Sequence, residues 1–238
     1  NRTGRPAFVR RISPAGTLGP ELPIDAGIVG STYAAATFAG DGTFVVALSI
    51  DAAAAAGNGR EPTGVYAASL LRGATRFGPV TRLGAGGNSS TQQGNLSIAV
   101  DRHRQVTVLA GAEDQTLRVF DHGPSGWRLA ARLRAPFAFD AEVHDAPDMA
   151  PTDGTTVIWD DTADQSSTIG RGATAVFAAH RTENAAFGPP HRITALVGGG
   201  GVSLDSATYL PSGRIALVAT RYGGPDDEGH AFAAIANP

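Results

Sequence analysis

Ala-Thr-Phe-Ala-Gly-Asp-Gly-Thr-Phe-Val-Val-Ala, residues 36–47, reads as a strand, a tight turn and a second strand. Three further stretches can be laid over it: Ile-Ala-Val-Asp-Arg-His-Arg-Gln-Val-Thr-Val-Leu (98–109), Asp-Met-Ala-Pro-Thr-Asp-Gly-Thr-Thr-Val-Ile-Trp (148–159) and Ala-Thr-Tyr-Leu-Pro-Ser-Gly-Arg-Ile-Ala-Leu-Val (207–218). Anchored on the turn residues Gly42, Arg104, Gly154 and Gly213, they recur at spacings of 62, 50 and 59 residues. This is too even for coincidence and too long for leucine-rich or helical-hairpin repeats, so the chain is an array of like units. Asp41-Gly42, Asp153-Gly154 and Ser212-Gly213 supply the positive φ of a tight hairpin, so the flanking strands are expected to pair antiparallel. Arg104 breaks this pattern, and its turn is expected to differ.

The strand after each turn is a continuous apolar run: Phe44 to Leu48, Val106 to Ala110, Thr156 to Trp159, Ile215 to Ala219. A run without alternation has both faces covered. The strand before each turn favours small residues, among them Ala34, Ala35, Ala36, Ser97, Ala99, Ser206 and Ala207, as strands crowded round a common axis require. A third apolar strand follows (Val65 to Leu70, Leu117 to Phe120, Ala175 to Ala179). A fourth is introduced by Phe-Gly-Pro at 77–79 and 187–189, with Leu18-Gly19-Pro20 as its counterpart near the N-terminus. Four strands per unit, buried on both faces, in units of this length describe an all-β fold, a β-propeller of four-stranded antiparallel blades. The units lie near 31–84, 94–134, 143–197 and 203–238, the last together with 5–24. Ala52 to Ala56, closed by Gly57-Asn58-Gly59, is too short to nucleate a helix and reads as a loop.

Both ends of the chain match a third strand, Ala7-Phe-Val-Arg-Arg-Ile and Phe232-Ala-Ala-Ile. A ring sealed by its own termini would carry a surplus strand. The expectation is therefore an arc of a larger ring, completed by another copy or by further sequence; a four-bladed ring with a loose end is the alternative.

Composition removes several chemistries. Of 238 residues, 31 are glycine and 15 proline, which suits a protein of many turns, and only 17% are charged. All 19 basic residues are arginine, and there is neither lysine nor cysteine. This excludes a Walker-type phosphate loop, a Schiff base, a thiol nucleophile, a thiolate metal site and a disulfide framework. A net charge of −3 gives no footprint for nucleic acid. No apolar run approaches 18 residues, so no membrane span or signal peptide is expected in this sequence; the expected location is extracytoplasmic or secreted, and cleavage of an export signal or excision from a longer chain would each explain a start at Asn1.

The units resemble the blades of bacterial β-propellers of the sialidase-like and TolB-like groups. Sialidase-type propellers carry an Asp-box, Ser/Thr-x-Asp-x-Gly-x-x-Trp, on the first hairpin of a blade; Thr152-Asp-Gly-Thr-Thr-Val-Ile-Trp159 has the same ingredients at another spacing. No catalytic residue of such enzymes maps onto this chain. The dipeptide Trp159-Asp160 occurs once and does not support a WD40 assignment.

The third unit departs from the rest by being acidic: Asp140, Glu142, His144, Asp145, Asp148, Asp153, Asp160, Asp161 and Asp164 fall within 140–164. In the turn-anchored alignment Asp148 takes the place of Ala36, Ile98 and Ala207. A carboxylate at an apolar inner-strand position costs several kcal/mol unless paired or bound to a cation, by roughly the 1–3 kcal/mol or more that burial of a polar group exacts. His144, Asp145 and Asp148 are thus the candidate ligand-binding residues. Three readings stay open: a cation site of oxygen ligands and imidazole, with Asp145 and Asp148 holding a hard divalent ion such as calcium; a general acid/base pair acting on a sugar or ester; and a diverged, solvated blade. There is no Gly-x-Ser-x-Gly elbow. Gly198 to Gly201 is a connection between units, and the acidic stretch Gly223 to His230 is a solvated loop.

The expected function is a non-catalytic binding or interaction scaffold presenting loops round a channel, with a protein or glycan partner and a possible homo-oligomer completing the ring. The alternative is a glycan-active hydrolase or lyase of sialidase-like type that uses the acidic third blade. No other cofactor is expected.

Overall fold

The structure, a computed structural model, describes residues 7–24, 33–50, 64–84, 96–101, 105–112, 116–123, 125–135, 138–145, 154–162, 174–182, 185–193, 202–210, 212–221 and 230–236. The described chain forms antiparallel sheets in sequence order. First comes a pair, β1 (Phe8–Ile12) and β2 (Leu18–Pro23). Blade 1 is β3 (Tyr33–Phe38), β4 (Phe44–Ile50), β5 (Gly64–Leu70) and β6 (Thr81–Gly84). Blade 2 is β7 (Leu96–Val100), β8 (Val106–Ala112), β9 (Thr116–Gly123) and β10 (Gly126–Arg134). Blade 3 is β11 (Ala138–Asp145), β12 (Thr155–Thr162), β13 (Thr174–Arg181) and β14 (His191–Arg192). The last sheet, blade 4, is β15 (Val202–Tyr209), β16 (Ile215–Arg221) and β17 (His230–Ala236). Strand order within each sheet follows the sequence, and the innermost strands β3, β7, β11 and β15 lie side by side in turn.

The hairpin turns repeat down to single hydrogen bonds. At 39–43, Ala39 N–H donates to the Thr43 carbonyl (2.8 Å) and Gly42 N–H to the Ala39 carbonyl (2.8 Å). Leu210 and Arg214, with Gly213, reproduce this pair of bonds, as do Ser13 and Thr17 with Gly16. Each is a three-residue loop whose last position is left-handed, with φ of 84°, 78° and 81° for Gly42, Gly213 and Gly16. Only a residue without Cβ takes that position at no cost. Asp101 and Gln105 frame a loop of the same length, with Asp101 N–H bonded to the Gln105 carbonyl (3.0 Å); Arg104 itself lies outside the described residues. So do Ala52 to Ala56.

The third-to-fourth connection repeats as well. Gly78 N–H donates to the Ser69 carbonyl and Gly188 N–H to the His180 carbonyl, each at 2.8 Å, so the two Phe-Gly-Pro segments leave their third strands identically. The N-terminal counterpart differs: Leu18-Gly19-Pro20 lies inside β2 itself.

Cores lie in the seams between sheets. β4, β8 and β12 are buried on both faces, as their unbroken apolar runs require. Side chains alternate between neighbours: Val157, Trp159 and Ala179 pack with Leu109, Leu117 and Val119 of blade 2, whereas Ile158, Val176 and Ala178 pack with Leu204, Ile215 and Leu217 of blade 4. Each such large side chain, fully withdrawn from water, contributes about 1.5–3 kcal/mol. β1 and β2 close on blade 1 through Leu22 and Ile24 against Val46, Leu48 and Tyr66.

Register corrects one expectation. Ala36 pairs with Val46, Ile98 with Val108 and Ala207 with Leu217, each partner lying four residues past the turn anchor. In blade 3 the residue four past Gly154 is Ile158, and it pairs with Glu142. The inner-strand slot assigned to Asp148 is therefore held by Glu142, six residues earlier. β11 closes at Asp145, and the connection to β12 is longer than its counterparts, which displaced the alignment.

Candidate functional site at the turn end of the third blade

Because neighbouring strands run in opposite directions, first-to-second and third-to-fourth connections share one end of each four-stranded blade. At that end of blade 3 the register sets two rows. His144 pairs with Thr156, which pairs with His180; Asp145 pairs with Thr155, which pairs with Arg181. Successive rows point to opposite faces of a sheet, so Thr155 and Thr156, adjacent in sequence, serve different seams.

The Thr155 row faces blade 2. There Asp121 of β9 and Arg181 of β13 form an almost fully buried pair, with Nη1 and Nη2 of Arg181 donating to the two carboxylate oxygens at 2.8 and 2.7 Å. Thr107 Oγ1 donates to Asp121 at 3.3 Å, and the exposed Arg128 adds a bond at 3.2 Å. Arg181 Nη2 also lies 3.4 Å from Thr155 Oγ1, and its guanidinium sits 4.8 Å from the Phe187 ring centroid. A bidentate, desolvated pair of this kind fixes relative position rather than reacting. It bolts blade 2 to blade 3.

The Thr156 row faces blade 4. Thr156 Oγ1 is buried and lies 2.9 Å from Nδ1 of His180 and 2.5 Å from the hydroxyl oxygen of Tyr209, the last residue of β15. Burial, and secondarily the charge of His191, lowers the His180 pKa below the ordinary 6.5. The imidazole is then neutral, and its Nδ1, the Thr156 hydroxyl and the Tyr209 hydroxyl are hydrogen-bonded in series. The result is a hydroxyl–hydroxyl–imidazole series, able to hold a proton at either end, beside the row position of His144.

Of the sequence candidates, the fold brings His144 and Asp145 to this end as the closing residues of β11, while Asp148 lies outside the described residues. Among the described residues no group of three His, Asp or Glu is placed to hold a metal ion. Asp160, also from the acidic stretch, is buried and accepts a bond from the Leu204 amide at 3.1 Å, so it stitches blade 3 to blade 4. Sequence reasoning missed Asp121, His180, Arg181 and Tyr209. A signal was present: each of the first three interrupts or closes an apolar third strand, and an ionisable group in such a run needs a partner.

No protein-family model matches the sequence, and no curated protein matches it. Solved structures do. One is the α-L-arabinofuranosidase Arb93A from Fusarium graminearum, in complex with an iminosugar inhibitor: TM-score 0.53, 11% identity, covering 88% of this chain and 63% of that one. Another is a protein of unknown function from Dyadobacter fermentans: TM-score 0.53, 12% identity, covering 100% of this chain and 70% of that one. The fold is a β-propeller. At such identity the likeness concerns the fold alone, and the chain spans about 63% of the length of the arabinofuranosidase. The expected resemblance thus holds for the propeller architecture alone, without a sequence family. No helix among the described residues is long and apolar enough to cross a membrane.

Proposed function

We propose that this chain is part of a glycan-active β-propeller whose third blade supplies the reacting and binding groups. The observation that carries the reading is the Tyr209–Thr156–His180 series at the turn end of that blade, in row with His144 and one row from Asp145. Glycosidic cleavage uses paired carboxyl groups, one as acid and one as base or nucleophile. Glu142 and Asp145 lie on β11, the strand that carries His144, and Asp148 follows it closely in sequence. The shared fold with an α-L-arabinofuranosidase supports the choice of glycan over other substrates and makes arabinose-containing oligosaccharides the first to try.

The test is release of reducing ends from a glycan panel by the wild-type chain and by Glu142→Gln, Asp145→Asn and Asp148→Asn. Turnover that drops at least about 100-fold in one or more folded variants is the expected result. Turnover unchanged in all three would overturn the assignment to blade 3. Chelation tests a divalent cation such as calcium at Asp145 and Asp148, which would show as glycan binding lost with the ion and restored by it.

A second reading, the non-catalytic scaffold, has its own support. On the inner strands β3 and β15 the exposed positions include Ala34, Ala36, Ser206 and Thr208, small residues with little to offer a reaction. Saturable glycan binding without turnover would favour it. As to assembly, we propose an arc of a larger ring, completed by another copy or by further sequence, secreted or otherwise extracytoplasmic.

A further inference from the structure

An open cavity of about 220 Å³ lies far from blade 3, between β1 and the turn end of blade 1. Its walls are apolar: Val9 from β1, Phe38 and Phe44 on either side of the first hairpin turn, and Leu70 and Leu71 where β5 ends. Among the described residues, its charged lining groups are two cations, Arg11 and Arg72.

Phe38 and Leu71 are 67% and 65% exposed, an expensive condition for side chains that large. Phe38 is nevertheless braced. Its ring centroid lies 4.9 Å from that of Phe44, which lies 6.4 Å from that of Phe77 in the blade core. The wall therefore exists before any ligand arrives. Gly42 completes it: the arginine stem lies across the turn, close enough that a Cβ there would come within 3.1 Å of Arg72 Cδ. On the opposite side Arg11 Nη2 donates to the Ala74 carbonyl at 2.6 Å, which orients that guanidinium and leaves most of its five N–H donors to spare.

We propose that this cavity binds a small monocarboxylate on a flat aromatic body. The charge complementarity is specific: two guanidinium groups, with no acid among the described lining residues, beside an apolar wall. A neutral aromatic would leave both cations unanswered. A sugar acid would satisfy them but would press its hydroxyls against phenylalanine and leucine, where nothing replaces their bonds to water. The volume suits a body of roughly ten non-hydrogen atoms, at about 20 Å³ each, a share below the ≈30 Å³ of a liquid water. The site is independent of the glycan reading of blade 3.

Calorimetric titration of the full chain with trans-cinnamate, cinnamamide and glucuronate tests it. The expected result is saturable cinnamate binding at submillimolar concentration, at least about tenfold tighter than cinnamamide or glucuronate. Arg72→Gln and Phe38→Ala, both exposed positions, should each weaken cinnamate about tenfold or more, and Arg72→Gln should leave thermal unfolding unchanged. Equal binding of acid and amide, tighter binding of glucuronate, or undiminished affinity in both variants would overturn the proposal. So would a chain that self-associates through this surface, seen as a concentration-dependent mass abolished by Phe38→Ala.

Discussion

Asp121 and Arg181 stand 60 residues apart in sequence and meet in the dry seam between blades 2 and 3. Removing one partner leaves the other charge stranded, so Arg181→Met should cost about 3–5 kcal/mol in urea-induced unfolding. The double variant Asp121→Leu with Arg181→Met should recover much of that loss, since two apolar groups need no pairing. His180 predicts a pH dependence. Its pKa is lowered in the folded protein, mainly by burial, so below about 6.5 the unfolded chain binds the extra proton first. Stability should hold steady above neutrality and fall as pH drops through 6.5, levelling off once folded His180 is itself protonated. His180→Asn, which keeps an acceptor for Thr156, should flatten that part of the profile measured at pH 7.5, 6.5 and 5.5. At Gly154, with φ of 151°, a Cβ would run into the Arg181 carbonyl oxygen and come within 2.5 Å of His180 Cε1. Gly154→Ala should therefore lower the melting temperature more than Gly213→Ala, and both should lose at least about 1 kcal/mol.

At the scale of strands and turns, much was legible in advance. Gly42 and Gly213 announced left-handed loop positions, and the continuous apolar runs at 44–48, 106–110 and 156–159 announced strands covered on both faces. What escaped was length. A turn residue marks where a strand resumes but does not measure how much chain precedes it, so the acidic slot fell on Asp148 instead of Glu142. Partnerships across seams escaped too, because nothing local tells Asp121 that its cation lies in the next blade. By this register, Glu142→Ala is the substitution that makes β11 resemble β3 and β15. It should raise stability or leave it unchanged by chemical denaturation, whereas Val157→Ala, in the seam core, should cost about 2 kcal/mol.

For the molecule as a whole, the exposed faces of the end sheets carry the assembly question. Phe8 and Ile12 on β1 and Val218 and Ile235 on blade 4 are large apolar groups in the open. A scattering mass in excess of one chain, returned to that of a single chain by Val218→Asp or Ile235→Asp, is the outcome expected of an arc completed by a second copy; a monomer at all concentrations would reject it. The main strand contacts between sheets, among the described residues, join consecutive blades. Loss of structure then has a direction. Amide protons in β8 and β12, flanked on both sides, should exchange most slowly with deuterium, while those of β1, β2 and β17 should exchange first, so that the protein comes apart as a zip opens, from its ends inward.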